Sequence, residues 1–263
     1  MSDEILQTIV KDYSWAIKDP LVVSRWNFVD IVNKIIAGAY ENIGEELFNA
    51  VAFANNCGDS FNKNMFKTFL SYVLLKEENY VKALSISKEQ MMYFAEEKLA
   101  LGALLSWYVS ASATFKTNNP KEAINICENS LKIAQSSKIN SLFFTALFEE
   151  LLAHCYMTQG DFESAKMYNE MSIEISNENN IAFMQVLTHR TRVLIMREMI
   201  IRADDLKKRE LSAKTKKLLQ KTKTLAKILN IPYYIDLVNK EIVSFEAFCK
   251  LNNLEDRTRK NKL

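Results

Sequence analysis

The segment Leu152-Ala153-His154-Cys155-Tyr156-Met157-Thr158-Gln159-Gly160-Asp161-Phe162-Glu163-Ser164-Ala165 decides the fold of this 263-residue chain. Its first part reads as a helix that carries a small residue, Gly160-Asp161 reads as a turn, and Phe162 opens a second helix. Glycine is favoured just after a helix because it adopts left-handed backbone without a steric penalty, and aspartate before the next helix because its side chain caps free amides. The segment therefore predicts two helices joined by a tight turn.

The same unit recurs earlier in the chain. The alanines that follow the turn are Ala83, Ala123 and Ala165, so the unit has a period of roughly 40 residues. Twelve positions before each alanine lies a small residue, in order Ser71, Ala111 and Ala153. A period of this length is typical of stacked helical pairs, in which small side chains let the two helices of a pair approach closely.

Composition and apolar spacing predict helices for the rest of the chain. Five glycines and three prolines are few for 263 residues, and sheets need frequent turns that favour these two residues. We therefore predict an all-α fold in three parts: N-terminal helices within residues 1–60, helical repeats within 61–229, and a capping helix with a basic tail within 230–263. Outside the clearest repeats, the spacing of apolar residues indicates helices over 3–17, 22–40, 45–56, 180–201, 203–229 and 233–251.

The cysteines and the apolar runs bear on the cellular compartment. No apolar run reaches the roughly 18–20 residues of a membrane span, and no basic start leads into a signal peptide. The four cysteines, Cys57, Cys127, Cys155 and Cys249, are scattered and form no Cys-x-x-Cys pair. Isolated cysteines in apolar surroundings are usually reduced thiols, so we predict a cytoplasmic protein without a metal site or cofactor. Lys- and Asn-rich, Gly-poor usage indicates a bacterial origin.

The repeated unit resembles the tetratricopeptide-repeat superfamily. The matching positions are the small residue Ala153, Tyr156, Gly160, Phe162 and Ala165, with Trp107 at the family's aromatic position one repeat earlier. The length of the period is similar to that of the lengthened repeats of bacterial sensor and regulator proteins of the Rap, PlcR and MalT kinds. The resemblance is best over residues 61–176, and it implies a right-handed superhelical solenoid of about twelve helices.

In this superfamily the first helices of successive pairs line a concave wall that binds a peptide or a partner segment. Transferring the inner positions one by one gives Tyr72, Lys76, Tyr108, Ser112, Lys116, Glu150, His154, Met157, His189, Arg192 and Met196. Lys76 and Lys116 are equivalent positions one repeat apart, and stacked lysines on such a wall would clamp a carboxylate while the tyrosines bury apolar side chains. The alternative is that these are the solvated lysines and half-buried aromatics of any helix.

The net charge differs in sign between the two parts of the chain before and after residue 200. Residues 1–200 carry 18 Lys+Arg against 24 Asp+Glu, a net charge of −6, whereas residues 201–263 carry 16 against 8, a net charge of +8. The predicted basic helix holds most of this excess in Lys207, Lys208, Arg209, Lys214, Lys216, Lys217, Lys221 and Lys223. The alternatives are an acidic partner, a nucleic-acid backbone, an anionic membrane surface and a solvated helix face, and basic residues without interleaved aromatics are a weak signal for nucleic acid.

The sequence contains no GxGxxG, GxxxxGK[ST], HExxH or GxSxG motif, which disfavours an enzyme. We predict a non-catalytic module that binds a protein or peptide in its concave groove, as a scaffold or adaptor in a larger assembly. The alternative is a peptide-responsive bacterial regulator similar to Rap, PlcR or arbitrium receptors. Residues 1–60 offer no helix-turn-helix with a basic second helix, so we predict no DNA-binding module. A homodimer through the C-terminal helices is left open.

Overall fold

The computed structural model describes residues 18–136 and 142–254, and the regular structure in these ranges is helical throughout. Eleven helices follow one another in the described ranges: α1 Pro20–Ile36, α2 Ile43–Asn56, α3 Ser60–Lys76, α4 Tyr80–Glu96, α5 Ala100–Lys116, α6 Pro120–Ser136, α7 Leu142–Thr158, α8 Phe162–Glu178, α9 Ala182–Arg202, α10 Asp205–Leu229 and α11 Pro232–Leu251. The predicted all-α fold is confirmed. The helix predicted over residues 3–17 lies outside the described residues.

The first described helix is shifted from its predicted bounds of 22–40. It begins at Pro20 because the Asp19 carboxylate accepts a hydrogen bond from the Leu21 amide at 2.9 Å, and proline is tolerated in the first turn. It ends at Ile36 because the chain turns at Gly38, whose φ of +70° suits glycine. The predicted end at Tyr40 was therefore four residues too late.

The helices α3 to α8 each have 17 residues, and tight three-residue turns repeat between helices. The middle residue of these turns adopts a left-handed φ between +52° and +80°: Gly58, Glu78, Lys98, Asn118, Gly160 and Asn180. In five of these turns, all but the one at Asn118, the next amide bonds to a carbonyl five residues back, as from Leu99 to Phe94 at 2.9 Å. These hydrogen bonds satisfy the free carbonyls of the helix end, so the turn forms even where glycine is absent.

The small residues of the repeat are buried between the helices. Six of them have no exposed surface: Ser71, Ala83, Ala111, Ala123, Ala153 and Ala165. Consecutive helices pack as pairs, and a first helix also contacts the first helix of the next pair, as α3 does with α5 and α7 with α9. This arrangement confirms the helical-repeat solenoid predicted from the sequence.

The chain divides into two compact units, Met1–Asn118 and Asn119–Leu263. This division follows packing, whereas the three parts predicted from the sequence follow the type of element. The core of the first unit contains Leu47, Phe66 and Phe94, all fully buried. In the second unit α9 is central, because it packs against α7, α8, α10 and α11. No helix in the described ranges is long and apolar enough to cross a membrane.

Candidate binding surface

The first helices of the second unit, α7, α9 and α11, form one continuous layer. The helix α9 contacts α7 on one side and α11 on the other, while the second helices α8 and α10 also pack against α9. We call the side of this layer that carries the half-buried side chains of Phe143, Phe183, Glu150 and His154 the first-helix face. Three groups of side chains join the helices of the layer: an aromatic row, a polar network and an arginine cluster.

The aromatic row crosses all three helices. The ring centroids of Phe143 on α7 and Phe183 on α9 are 5.6 Å apart. The ring centroids of Phe183 and Tyr234 on α11 are 6.1 Å apart. Phe144 and Tyr233 extend the row at its two ends, with centroid distances of 5.0 and 5.2 Å to their neighbours. Phe143, Phe183 and Tyr233 are half-buried, so the row offers ring surface to an apolar ligand group.

The polar network joins α7 to α9. The Thr191 hydroxyl donates to the Glu150 carboxylate at 2.8 Å and lies 2.9 Å from Nε2 of His154, which is itself 3.1 Å from the same carboxylate oxygen. The side chains of His154 and Glu150 keep 24% and 14% of their surface exposed, whereas Thr191 is buried. The network can therefore offer polar atoms to a ligand while Thr191 holds them in position.

The arginine cluster joins α9 to α11. Arg190 and Arg197 both approach the buried Glu241 carboxylate, at 3.7 and 3.6 Å. Arg197 also donates to the Ser244 hydroxyl at 3.0 Å and places its guanidinium 5.0 Å from the centre of the Phe248 ring. A buried carboxylate needs such partners, so the cluster fixes the position of α11 on α9.

The predicted wall residues of the second unit have different surroundings on α7 and on α9. Glu150, His154 and Met157 on α7 are half-buried, and the first two form the polar network. The three on α9 face the second helices instead: Arg192 pairs with Glu170 of α8, Met196 accepts from Thr215 of α10, and His189 is buried against Thr222 of α10 at 3.2 Å. Burial, helped by Lys221, lowers the pKa of His189 to about 4. His189 is therefore a neutral interior residue.

The repeat register of the sequence also gives a second set of positions on α9. Both α7 and α9 begin a repeat, at Leu142 and Ala182, so the interval between these two residues relates equivalent positions. Counting on by the same interval from Glu150, His154 and Met157 gives Arg190, Leu194 and Arg197. The two arginines are the residues that reach α11, and Leu194 is half-buried on the same side of the helix.

The predicted wall residues of the first unit also differ in accessibility. Tyr72 is half-buried, and the Lys76 ammonium lies 5.1 Å from the centre of its ring. Tyr108 is half-buried, and the Lys116 ammonium lies 5.8 Å from the Phe115 ring. Both lysines lie in the last turn of their helices, where a positive charge is favourable. Ser112 is buried, with only 7% of its surface exposed.

The predicted basic helix is α10, which buries one side against α9 and α11. Lys214 pairs with Glu210 at 2.6 Å and Lys208 approaches Asp205 at 3.9 Å. Most of the predicted basic residues are exposed, namely Lys207, Arg209, Lys214, Lys217 and Lys221, whereas Lys208, Lys216 and Lys223 are half-buried. None of them lies on the first-helix face.

Three of the four cysteines are core residues. All four are free thiols, and Cys127, Cys155 and Cys249 are buried. Burial raises the pKa of Cys155 to about 12 and that of Cys127 well above its usual value, so these thiols stay protonated and are poor nucleophiles. No three His, Cys, Asp or Glu side chains within the described ranges are placed to share a metal ion.

Comparison with known proteins identifies a similar fold among solved structures. No protein-family model matches the chain, and no curated protein matches it. Among solved structures the chain is similar to the apo form of RapI, with a TM-score of 0.59 and 14% sequence identity over 87% of this chain and 84% of RapI. This likeness shows a Rap-like helical-repeat fold, as the repeat length predicted. Membership of the tetratricopeptide-repeat superfamily stays a prediction.

Proposed function

We propose that this protein is a non-catalytic, peptide-responsive regulator that binds an extended peptide on the first-helix face of the second unit. The proposal is supported by the position of the aromatic row beside the polar network. Phe143 precedes Glu150 by seven residues on α7, and Phe183 precedes Thr191 by eight on α9, so each pair lies on one side of its helix. The Rap-like fold and the resemblance to Rap regulators support the same function.

The spacing of the two groups indicates the ligand. Seven residues along a helix rise about 10.5 Å, and an extended peptide advances about 3.3 Å per residue. A peptide lying along α7 and α9 would therefore place an apolar side chain on the aromatic row and, about three residues away, a polar group on Glu150 and His154. A cytoplasmic bacterial regulator is the setting we propose.

Selection from a phage-displayed library of random seven-residue peptides tests the proposal. We expect enriched peptides with an apolar residue three positions from a polar one. Phe183→Ala and Thr191→Val should each weaken binding at least tenfold, because they remove the apolar contact and the support of Glu150 and His154. Met171→Ala on α8, where the side chain is 40% exposed, is the matched control and should bind normally.

Two outcomes would argue against this function. Enriched peptides that bind equally to wild type and to both variants would place the binding site elsewhere. Binding without any change in amide hydrogen exchange would favour a scaffold or adaptor over a regulator. Sedimentation of the same samples tests the homodimer through the C-terminal helices, which stays a prediction.

A further inference from the structure

The outward side of α10 carries basic residues in two straight rows. One row consists of Lys207, Lys214 and Lys221, and the other consists of Arg209, Lys216 and Lys223, each with a spacing of seven residues. Seven residues complete nearly two turns, rise about 10.5 Å and drift by only about 20°, so each row runs almost along the helix axis. We call these the first and second basic rows.

A polar seam separates the two rows. It consists of exposed residues that lie outward between them: Glu210, Ala213, Lys217, Gln220 and Thr224. The apolar residues of α10 point the other way, since Leu211, Leu219 and Ala226 are buried. Rows flanking a seam in this way have the geometry of the charged flanking positions of a helix that pairs with a second helix.

The positive charge of this face is poorly neutralised. Residues 204–228 carry nine Lys+Arg and three acidic residues, a net charge of +6. Within the described ranges, Lys207, Arg209, Lys217, Lys221 and Lys223 have no carboxylate within 4.0 Å, whereas Lys214 pairs with Glu210. Lys216 has a polar interaction of its own. A face of this charge attracts an anionic surface over roughly the Debye length of 8–10 Å.

We propose that the outward face of α10 is the docking surface for an acidic helix of a partner protein, whose carboxylates recur every seven residues and pair with the two basic rows. The seam has no large apolar side chain, so charge rather than apolar burial would hold the partner, and binding would weaken steeply with salt. This docking is independent of peptide binding on the first-helix face.

Other anionic partners fit this face less well. A helix that lies in a membrane surface needs its apolar side in the lipid, and the apolar side of α10 is buried in the protein. Its large exposed apolar residues, Leu206 and Ile228, lie far apart near the two ends of the helix. Single-stranded nucleic acid is commonly held by aromatic stacking, and α10 contains no aromatic residue. The same face of a second copy would be repelled.

The probe is a synthetic helical peptide of the same length as α10, with glutamates in two rows of seven-residue spacing. A second peptide of identical composition carries the glutamates at five-residue spacing. Fluorescence anisotropy at several NaCl concentrations should give at least tenfold tighter binding for the first peptide, with the difference shrinking as salt rises. Lys207→Glu/Lys214→Glu/Lys221→Glu should remove at least nine tenths of that affinity.

The control variant Lys82→Glu/Lys88→Glu/Lys121→Glu makes the same change in net charge at exposed lysines outside α10, and should keep the preference for seven-residue spacing. Circular dichroism checks the fold, and the three α10 lysines changed to glutamine serve if the glutamate variant fails to fold. Equal binding of the two peptides, equal loss in the control variant, or tighter binding to phosphatidylserine vesicles or duplex DNA would overturn the proposal.

Discussion

At the scale of single residues, the packing of α4 on α5 depends on the absence of one side chain. A β-carbon added at Gly102 would lie 2.5 Å from the ring of Phe94, which is fully buried. Carbon atoms need about 3.5 Å or more, so the ring would have to move inside a packed core. Glycine is otherwise unfavourable inside a helix, by about 1 kcal/mol relative to alanine. The close contact with Phe94 therefore requires glycine at position 102.

Gly102→Ala should lower the free energy of unfolding by about 1–2 kcal/mol, because the cost of overpacking exceeds the gain in helix propensity. Urea denaturation measures this change. Gly44→Ala on α2 is the matched control, since its nearest contact would be 3.9 Å, and it should be neutral or stabilising. A loss that is undiminished in a Phe94→Leu background would show that the ring is not the cause.

A second residue, Glu149 on α7, makes the stability of the protein depend on pH. It is 2% exposed and has one carboxyl oxygen without a hydrogen-bond partner in the described ranges. Burial, with a smaller contribution from Glu174, raises the pKa of Glu149 from 4.5 to about 7. The folded protein therefore holds a proton that the unfolded chain has released at neutral pH. Its contribution to stability is complete below pH 4.5 and is lost as the pH rises through about 7.

Glu149→Gln should consequently stabilise the protein at pH 8, by up to about 3 kcal/mol, and have little effect at pH 4. Thermal unfolding of both proteins from pH 4 to pH 8 measures the difference. His189 acts in the opposite direction, because its lowered pKa costs stability as the pH falls from 6.5 towards 4. The comparison with wild type cancels that contribution. A gain that does not vary with pH would contradict the assignment to Glu149.

At the scale of the helix pair, the turns that join the helices require a left-handed backbone at their middle residue. Left-handed backbone costs a non-glycine residue about 1–2 kcal/mol, yet Glu78 and Lys98 adopt it with φ of +62° and +55°. The hydrogen bonds of the turn and the buried helices on either side impose this conformation. Where glycine is present, as at Gly160, the same turn forms without that cost.

Lys98→Gly should therefore raise the free energy of unfolding by about 0.5–1 kcal/mol, since the exposed Lys98 side chain loses no packing. Gly160→Ala is the reciprocal change and should lower it by about 1 kcal/mol. Differential scanning calorimetry measures both. Equal melting temperatures for wild type and the two variants would show that the turn conformation carries no energetic cost.

At the scale of the whole molecule, the basic residues that make the charge of the sequence uneven are concentrated on one helix. The excess of basic residues after residue 200 lies largely on α10, a second helix of its pair. The candidate peptide site lies on the first helices α7, α9 and α11. The proposed peptide site and the proposed docking surface for an acidic helix therefore lie on different helices of the second unit.

The sequence by itself determined the helical pairs, their regular period and the buried small residues, because tight turns and close helix contacts accept few residue types. It also placed Glu150 and His154 together on one side of α7. Only the tertiary structure decided that His189 is buried against Thr222, and that Phe143 and Phe183 form a row across helices. The physical reason is that which side of α9 is covered depends on how α10 and α11 pack on it, and hydrophobic spacing within α9 alone does not contain that choice.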